Sequence, residues 1–533
     1  VEHPKDMAHG DYATNVALVV SKVLGKNPQD VAKSLLEYFT THKGADIETV
    51  SIAGPGFINF TLNRTVFVQG LAQAQTKEWG QTDVYKGQKI LVEHSSPNLF
   101  KPFHIGHLMN NTIGESITRL AKASGAQVTT LSFPSDISLG VAKAIFILLE
   151  KYGAEFIPTD VAVLGDAYIE GTKRYDEDES THLRVKEIAD NLYAAKASDE
   201  LIVFEKCKAF NIAYFQKIVA QLGSDIDANI YESEAGVEGK QIVLEYTPKV
   251  FTESEGAIVY VPNEDDKHIN TVVFINSQGN PTYEAKDLGL LELKFTRYNP
   301  DLSIFITDAQ QVSHFQVVLD AAAKITTDWA QKSLHRFHGR MSFKGAKMSS
   351  RLGGVPIVED VLATVADEVK DKSPDSTDQS AQIIAIAAIK FSILRAMAGK
   401  DINFDPETSL SFEGDSGPYL QYTAVRAGSL LQKGLGLDIA PSIAQPVSGT
   451  EILERLIARL PEVVAESQKA WAPHYMVTYL LDVAQAFNSW YGQGKIIDED
   501  TTSTAYRLSI VAATRQTLIN GLWILGIAVP EKM

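Results

Sequence analysis

Four consecutive stretches constrain the fold more than any other part of the chain: "KILVEHSS", "KPFHIGHLMN", "NNTIGESITRLAKASG" and "QVTTLSFPSD", together residues 89–136. The first is an apolar run of the kind expected where both faces of a parallel sheet are covered. A helical stretch ended by Gly125 and a second apolar run follow it, which makes a βαβ unit. Open sheets of this type bind ligands at the C-terminal ends of their strands, and "KPFHIGHLMN" lies there. The next helix offers free N–H groups and a positive dipole to phosphate. Gly106 removes a side chain where a nucleotide would lie close to the backbone, and His104 and His107 can donate to phosphoryl oxygens as charge develops. The plainer alternative is a polar turn with one histidine packed and the other solvated.

At 533 residues the chain needs more than one core. The formal charge of -17, from 49 Lys plus Arg against 66 Asp plus Glu, requires any nucleic-acid partner to meet a local basic face. Cys207 is the sole cysteine, which excludes disulfide frameworks and thiol-based zinc sites and leads us to expect the cytoplasm. "QIIAIAAIKFSILRAMAG" is interrupted by Lys390 and Arg395, and "LINGLWILGIAV" is too short to span a bilayer. The start at Val1, in "VEHPKDMAHGDYATNVAL", reads as mid-domain, so residues are expected before it.

The fold class expected is α/β: a Rossmann-type parallel-sheet catalytic domain with a connective insertion, a small N-terminal α/β domain and an all-α C-terminal bundle. The domains run over 1–75, 85–355 and 375–533, with the insertion at about 150–265. Within the insertion "KQIVLEY" and "AIVYVP" read as strands, and parallel-sheet grammar resumes with "TVVFI" and "DLSIFIT". A second motif, "FKGAKMSSRLGG", carries Lys344, Lys347, Met348, Ser349, Ser350 and Arg351 on a glycine-flanked loop. Cationic and hydroxyl donors there suit a triphosphate, although such a loop by itself is more often just solvated. The two motifs on one sheet indicate nucleotidyl transfer.

This pair resembles the HIGH and KMSKS signatures of class I aminoacyl-tRNA synthetases. "VEHSSPNLFKPFHIGHL" with "LSFEGDSGPYLQYTAVR" is similar to the arginyl-tRNA synthetase family in particular, and the resemblance covers nearly the whole chain. It implies ATP with Mg2+, L-arginine and tRNA(Arg) as partners, no structural zinc, a monomer, and amino-acid activation that waits for tRNA. His104, Gly106, His107, Lys347, Met348, Ser349 and Arg351 then face ATP, with His104, His107, Lys101, Lys347 and Ser349 active in catalysis. Ser350 stands where the family has a second lysine, and Lys101 or Arg351 is its substitute.

A guanidinium calls for carboxylates in a planar arrangement, with an aromatic face acceptable beside it. The resemblance assigns Glu93, Asn98, Glu232, Tyr283, Asp287 and Gln311 to arginine. Tyr283 and Asp287 are four apart in "PTYEAKDLG", on one side of a helix if that segment is helical. Each of these has a plainer reading: a solvated helix residue, an exposed acid, a turn former after proline. "PSDISLG" departs from a Gly-Asp-Trp-Gly type segment common in the family. For tRNA, the resemblance points to Tyr419, Tyr422 and Tyr491, which would stack on unpaired bases, and to Phe57 and Asn59 in "GPGFINF" at the tRNA elbow. Aromatic stripes at helical spacing are more often core.

The rival readings are another class I synthetase, a small HIGH-bearing nucleotidyltransferase, or a non-catalytic RNA-binding relative. A cysteine-specific enzyme would want a set of zinc-ligating thiols, and small adenylyltransferases lack so large a helical end. A non-catalytic relative should have lost the HIGH residues or the acids, and both are present.

Overall fold

The computed structural model describes residues 1–4, 6–263, 269–344 and 356–533. Packing divides the chain into two compact units: residues 1–80, 422–463 and 479–521 form one, and residues 81–421, 464–478 and 522–533 the other.

In the first unit, β1 (Tyr12–Thr14), β2 (Ile47–Ala53) and β3 (Phe57–Leu62) form an antiparallel sheet in the order β1-β3-β2. The β2–β3 turn follows from "AGPGF", where Gly54 and Gly56 take φ of +54° and +140°, values that glycine adopts readily. The helix Pro28–Thr41 begins with Asn27 accepting from the Gln29 N–H and with proline at its first position, a standard helix start. Ala17, Val31, Ala32 and Ile58 close the small core. Asp11 pairs with Arg455 at 2.7 Å and Arg64 with Glu454 at 2.6 Å, which ties this sheet to the helix Glu451–Ala458.

The second unit is built on a parallel five-stranded sheet. Its strands are β4 (Lys89–Glu93), β5 (Gln127–Ser132), β6 (Ala228–Asn229), β10 (Leu302–Asp308) and β11 (Ser333–His338), in the order β11-β10-β4-β5-β6. β4 passes through the helix Ile105–Ala123 to β5 on one side, while β10 leads to β11 on the other. The order therefore reverses between β4 and β10, and the crevice for a ligand opens at their C-terminal ends. Asn110 pins this crevice: its Oδ1 accepts from the Ser95 N–H at 2.6 Å and its Nδ2 donates to the Ile306 carbonyl at 2.5 Å.

Two sequence expectations are corrected. "KQIVLEY" is not a strand but the end of the helix Glu232–Glu245. Its buried residues Ala235, Gly239, Ile242 and Val243 follow helical spacing, which alternation over seven residues concealed. "TVVFI" does not join the parallel sheet. It is the third strand of a separate antiparallel sheet, β7 (Phe251–Ser254), β8 (Ala257–Tyr260) and β9 (Val272–Ile275). The two-residue turn Glu255-Gly256, with φ of +50° and +81°, has the positive dihedrals that reverse a hairpin, and β9 pairs onto β8. The remaining strands, β12 (Met341–Phe343) and β13 (Ile402–Phe404), pair in parallel, and the regular elements beyond residue 356 are otherwise helices.

One helix crossing sets the site's second wall. A Cβ on Gly239 would stand 1.7 Å from the Ala285 carbonyl oxygen, and one on Gly289 2.0 Å from that of Ala235. Only glycines allow the helices Glu232–Glu245 and Tyr283–Tyr298 to approach this closely.

Candidate active site

The turn after β4 is held in place by its own histidines. His104 caps the helix: its Nδ1 accepts from the Gly106 N–H at 3.1 Å, and its backbone N–H donates to His107 Nδ1 at 3.2 Å. The rings stack with centroids 3.8 Å apart. Because both Nδ1 atoms accept, the proton of each neutral ring lies on Nε2, so both present a donor on their far side. A Cβ on Gly106 would come 3.0 Å from His104 Cε1, which is why glycine stands there. Burial, then His104 and Lys101, push His107 well below the usual imidazole range; burial, then Lys101, lower His104. Both rings are therefore neutral donors near pH 7. The loop that carries them is strained at Ser95 and Phe100, with φ of +58° and +62°, at about 1–3 kcal/mol each. Hydrogen bonds from the Ser95 N–H to Asn110 and from the Phe100 N–H to Asn211 hold it. Lys101 Nζ lies 4.5 Å from the centre of the Tyr168 ring.

Across the crevice stand the acids. Tyr283 opens the helix Tyr283–Tyr298 and is 68% exposed, so its ring borders open space. Asp287 lies one turn further along the same helix, and its Oδ2 meets His314 Nε2 at 2.5 Å. His314 Nδ1 lies 3.3 Å from Glu284 Oε1. Burial pulls the His314 pKa down, but the bonds to Asp287 and Glu284 outweigh it and raise the value to about 9. Glu232 is 4% exposed and paired with Lys286, itself 8% exposed. Glu93, at the end of β4, is paired with Lys294, whose ammonium faces Phe305 at 5.2 Å. Two of the four acids at this wall thus carry a lysine partner from the adjacent helix.

The other expected site residues are placed as follows. Asn98 is exposed and bridges to Ser135; Gln311 is exposed at the start of the helix Val312–Ile325, after β10. Glu93 ends β4, the strand that leads into the histidine turn, and pairs with Lys294 on the helix that bears Tyr283 and Asp287, which packs in turn on the helix that begins with Glu232. Lys347, Met348, Ser349, Ser350 and Arg351 lie outside the described residues, while Lys344, just before them, pairs with Asp405 at 2.7 Å. Tyr419 and Tyr422 share the helix Gly417–Leu435. In the first unit the Arg426 guanidinium lies between the Tyr422 and Tyr491 rings, 4.5 and 4.9 Å from their centres, and donates to Asn488 at 2.6 Å. Tyr491 is 39% exposed. Phe57 is half-buried and Asn59 buried, both on β3.

Sequence reasoning missed His314, Lys286, Lys294 and Asp136. Asp136, in the "PSDISLG" departure, accepts from the Ser233 N–H at 2.9 Å and pairs with Lys208 at 2.7 Å, capping from a distant loop the helix that begins with Glu232. His314 had one signal: it falls three residues after Gln311 at the start of the same helix.

Comparison with known proteins agrees with this geometry. Residues 69–405 match the class I (R) tRNA synthetase catalytic domain, residues 420–533 the DALR anticodon binding domain, and residues 1–62 the arginyl tRNA synthetase N terminal domain. The arginine–tRNA ligase of Clostridium perfringens is 29% identical over 553 residues, covering 100% of this chain and 96% of that protein. That of Borreliella burgdorferi is 28% identical over 512 residues, covering 91% and 87%. The structure of Thermus thermophilus arginyl-tRNA synthetase superposes with a TM-score of 0.82 at 26% identity, over 100% of this chain and 96% of that one. With its catalytic-domain match spanning more than half its length, the chain belongs to the class I arginyl-tRNA synthetase family.

Proposed function

We propose that this protein is an arginine–tRNA ligase. The observation that carries the reading is the pairing of two neutral histidine donors at the end of β4 with the Asp287–Glu284 acid pair beside the end of β10, across one sheet crevice. ATP, with Mg2+ arriving as its counterion, lies against the helix N-terminus. The arginine carboxylate attacks the α-phosphorus, pyrophosphate leaves, and arginyl adenylate forms. The 2'-hydroxyl of the terminal tRNA adenosine then attacks the adenylate carbonyl, its proton passes to the departing phosphate, and AMP leaves. His104 and His107 donate through Nε2 to oxygens whose negative charge grows, which speeds the first step without proton transfer. Lys101, Lys347, Ser349 and Arg351 share the pyrophosphate charge, with Gly106 and Met348 bordering the nucleotide.

Arginine's guanidinium is received by Asp287 and Tyr283, with Glu232 as its other carboxylate, while Asn98 and Gln311 lie around the amino and side-chain groups and Glu93 sits at the strand end. Residues 1–75, 85–355 and 375–533 form the elbow-contacting, catalytic and anticodon-binding domains; the family matches follow the same order with other bounds, 1–62, 69–405 and 420–533. Tyr419, Tyr422 and Tyr491 face anticodon-loop bases, and Phe57, with Asn59 behind it in the sheet, faces the elbow. The sole cysteine supports a reducing compartment, the cytoplasm. Among the described residues no helix is long and apolar enough to cross a membrane, and no group of three or more His, Cys, Asp or Glu is placed to hold a metal ion. Charging of bulk tRNA with each labelled amino acid tests the function. Arginine alone should be attached; lysine charging, or none, overturns it. ATP–pyrophosphate exchange without tRNA should stay near background.

A further inference from the structure

We propose that His314 is a positioning residue of the arginine seat: wedged between Asp287 and Glu284, it holds one Asp287 oxygen so that the other faces the substrate, and it sets the seat's charge. The inference rests on Asp287 receiving the guanidinium. Three observations support it. His314 Nε2 meets Asp287 Oδ2 at 2.5 Å, and its Nδ1 lies 3.3 Å from Glu284 Oε1, so one ring spans two carboxylates on one helix. Among the described residues the bond to Asp287 engages Oδ2 alone, leaving Oδ1 for a second fork. The remaining acids of this wall, Glu232 and Glu93, are already neutralised by Lys286 and Lys294.

The charges then balance. Two carboxylates and one imidazolium leave a single negative charge, which matches one guanidinium; an uncharged ring would leave two. No second histidine charge intrudes. On β11, His335 donates to or accepts from Thr307 at 2.7 Å, and burial, then His314 and Arg336, push it down to about 4. Phe315 stands edge-on to His314, with ring centres 5.0 Å apart. A free carboxylate pair would rotate and repel; the wedge fixes both before arginine arrives.

The test is steady-state charging, and pyrophosphate exchange in the presence of tRNA, with His314→Ala and His314→Gln, beside Asp287→Ala. His314→Ala should raise the arginine KM by about 10- to 100-fold, the loss expected for a hydrogen bond to a charged group, with the ATP KM unchanged and kcat nearly so. His314→Gln, which can still donate to Asp287, should recover part of that loss. In the unmodified protein, imidazole 15N spectra should show His314 charged at pH 7.5 and shifting on arginine but not on ATP. An unchanged arginine KM in both His314 variants, or an uncharged His314 signal indifferent to arginine, overturns the proposal. If Asp287→Ala also leaves the arginine KM unchanged, the seat itself is misassigned; if only the His314 variants are silent, the seat stands and His314 has no part in it. Should the alanine variant fail to fold, the glutamine variant and the spectra decide.

Discussion

His107 and His314 are the same residue in the same compact unit, both largely buried, yet they end in opposite charge states. His107 is pushed well below the ordinary imidazole value, while His314 is raised to about 9. Burial works in the same direction on both, disfavouring the cation. What differs is the company. His107 faces His104 and Lys101 and receives a backbone N–H, whereas His314 faces two carboxylates. The lesson is that partners, rather than depth, decide which histidine is a neutral donor to phosphate and which a fixed positive wedge.

The largest effect that would sharpen this contrast is on the substrate side. Asp287→Ala removes the nearer of the two carboxylate partners of His314 and leaves Glu284 as the sole acid against it. Arginine kcat/KM should fall by roughly 3–5 kcal/mol, seen as an arginine-specific rise in KM in pyrophosphate exchange. Next, His107→Ala should slow single-turnover adenylation on the order of 100-fold, the usual cost of one donor to a developing charge, with the arginine KM little changed. If this variant weakened arginine binding instead, the two sites would not be separable.

Stability against pH should separate them with opposite signs. The folded pKa of His314 lies above its unfolded 6.5, at about 9, so its contribution is full below pH 6.5 and fades as pH rises through 9. The bound on that loss is about 3 kcal/mol. His107, whose folded pKa is depressed, acts on the other flank: below pH 6.5 the unfolded chain takes up its proton more readily, and stability falls. Burial, then Arg119, lower Lys390 to about 7, which gives a slope of opposite sign in the alkaline window, so the readout is the difference in denaturant midpoint between the unmodified protein and His314→Gln: it should be largest below pH 6.5 and close as pH rises through 9. The smallest effect concerns the wall. Gly239→Ala places a Cβ against the Ala285 carbonyl oxygen and should cost roughly 2 kcal/mol as the helices separate, read as a lower melting temperature together with a higher arginine KM.

Much of this was legible in the sequence because the causes were local. The strand–turn–helix–strand order of residues 89–136 required a parallel sheet with its ligand end at His104 and His107. "KQIVLEY" misled because a short apolar run fits either period, and the Gly239–Gly289 crossing that settles it lies between elements far apart in the chain; "TVVFI" is the strand it reads as, but which sheet it joins is set by its pairing onto β8. Asp287 was legible as a candidate, but its counterion was not: His314 follows it only after an intervening strand.

By itself, then, the order of residues determined the elements, the nucleotide-facing turn and the types of side chain offered to a guanidinium, since these depend on backbone propensity and motif spacing. Only the tertiary structure decided which acids are already neutralised, as Glu93 and Glu232 are, and which hold charge in reserve, as Asp287 and Glu284 do around His314. Ionisation in a desolvated crevice depends on through-space neighbours within a few ångströms, and those are set by how helices and strands pack rather than by their place in the chain.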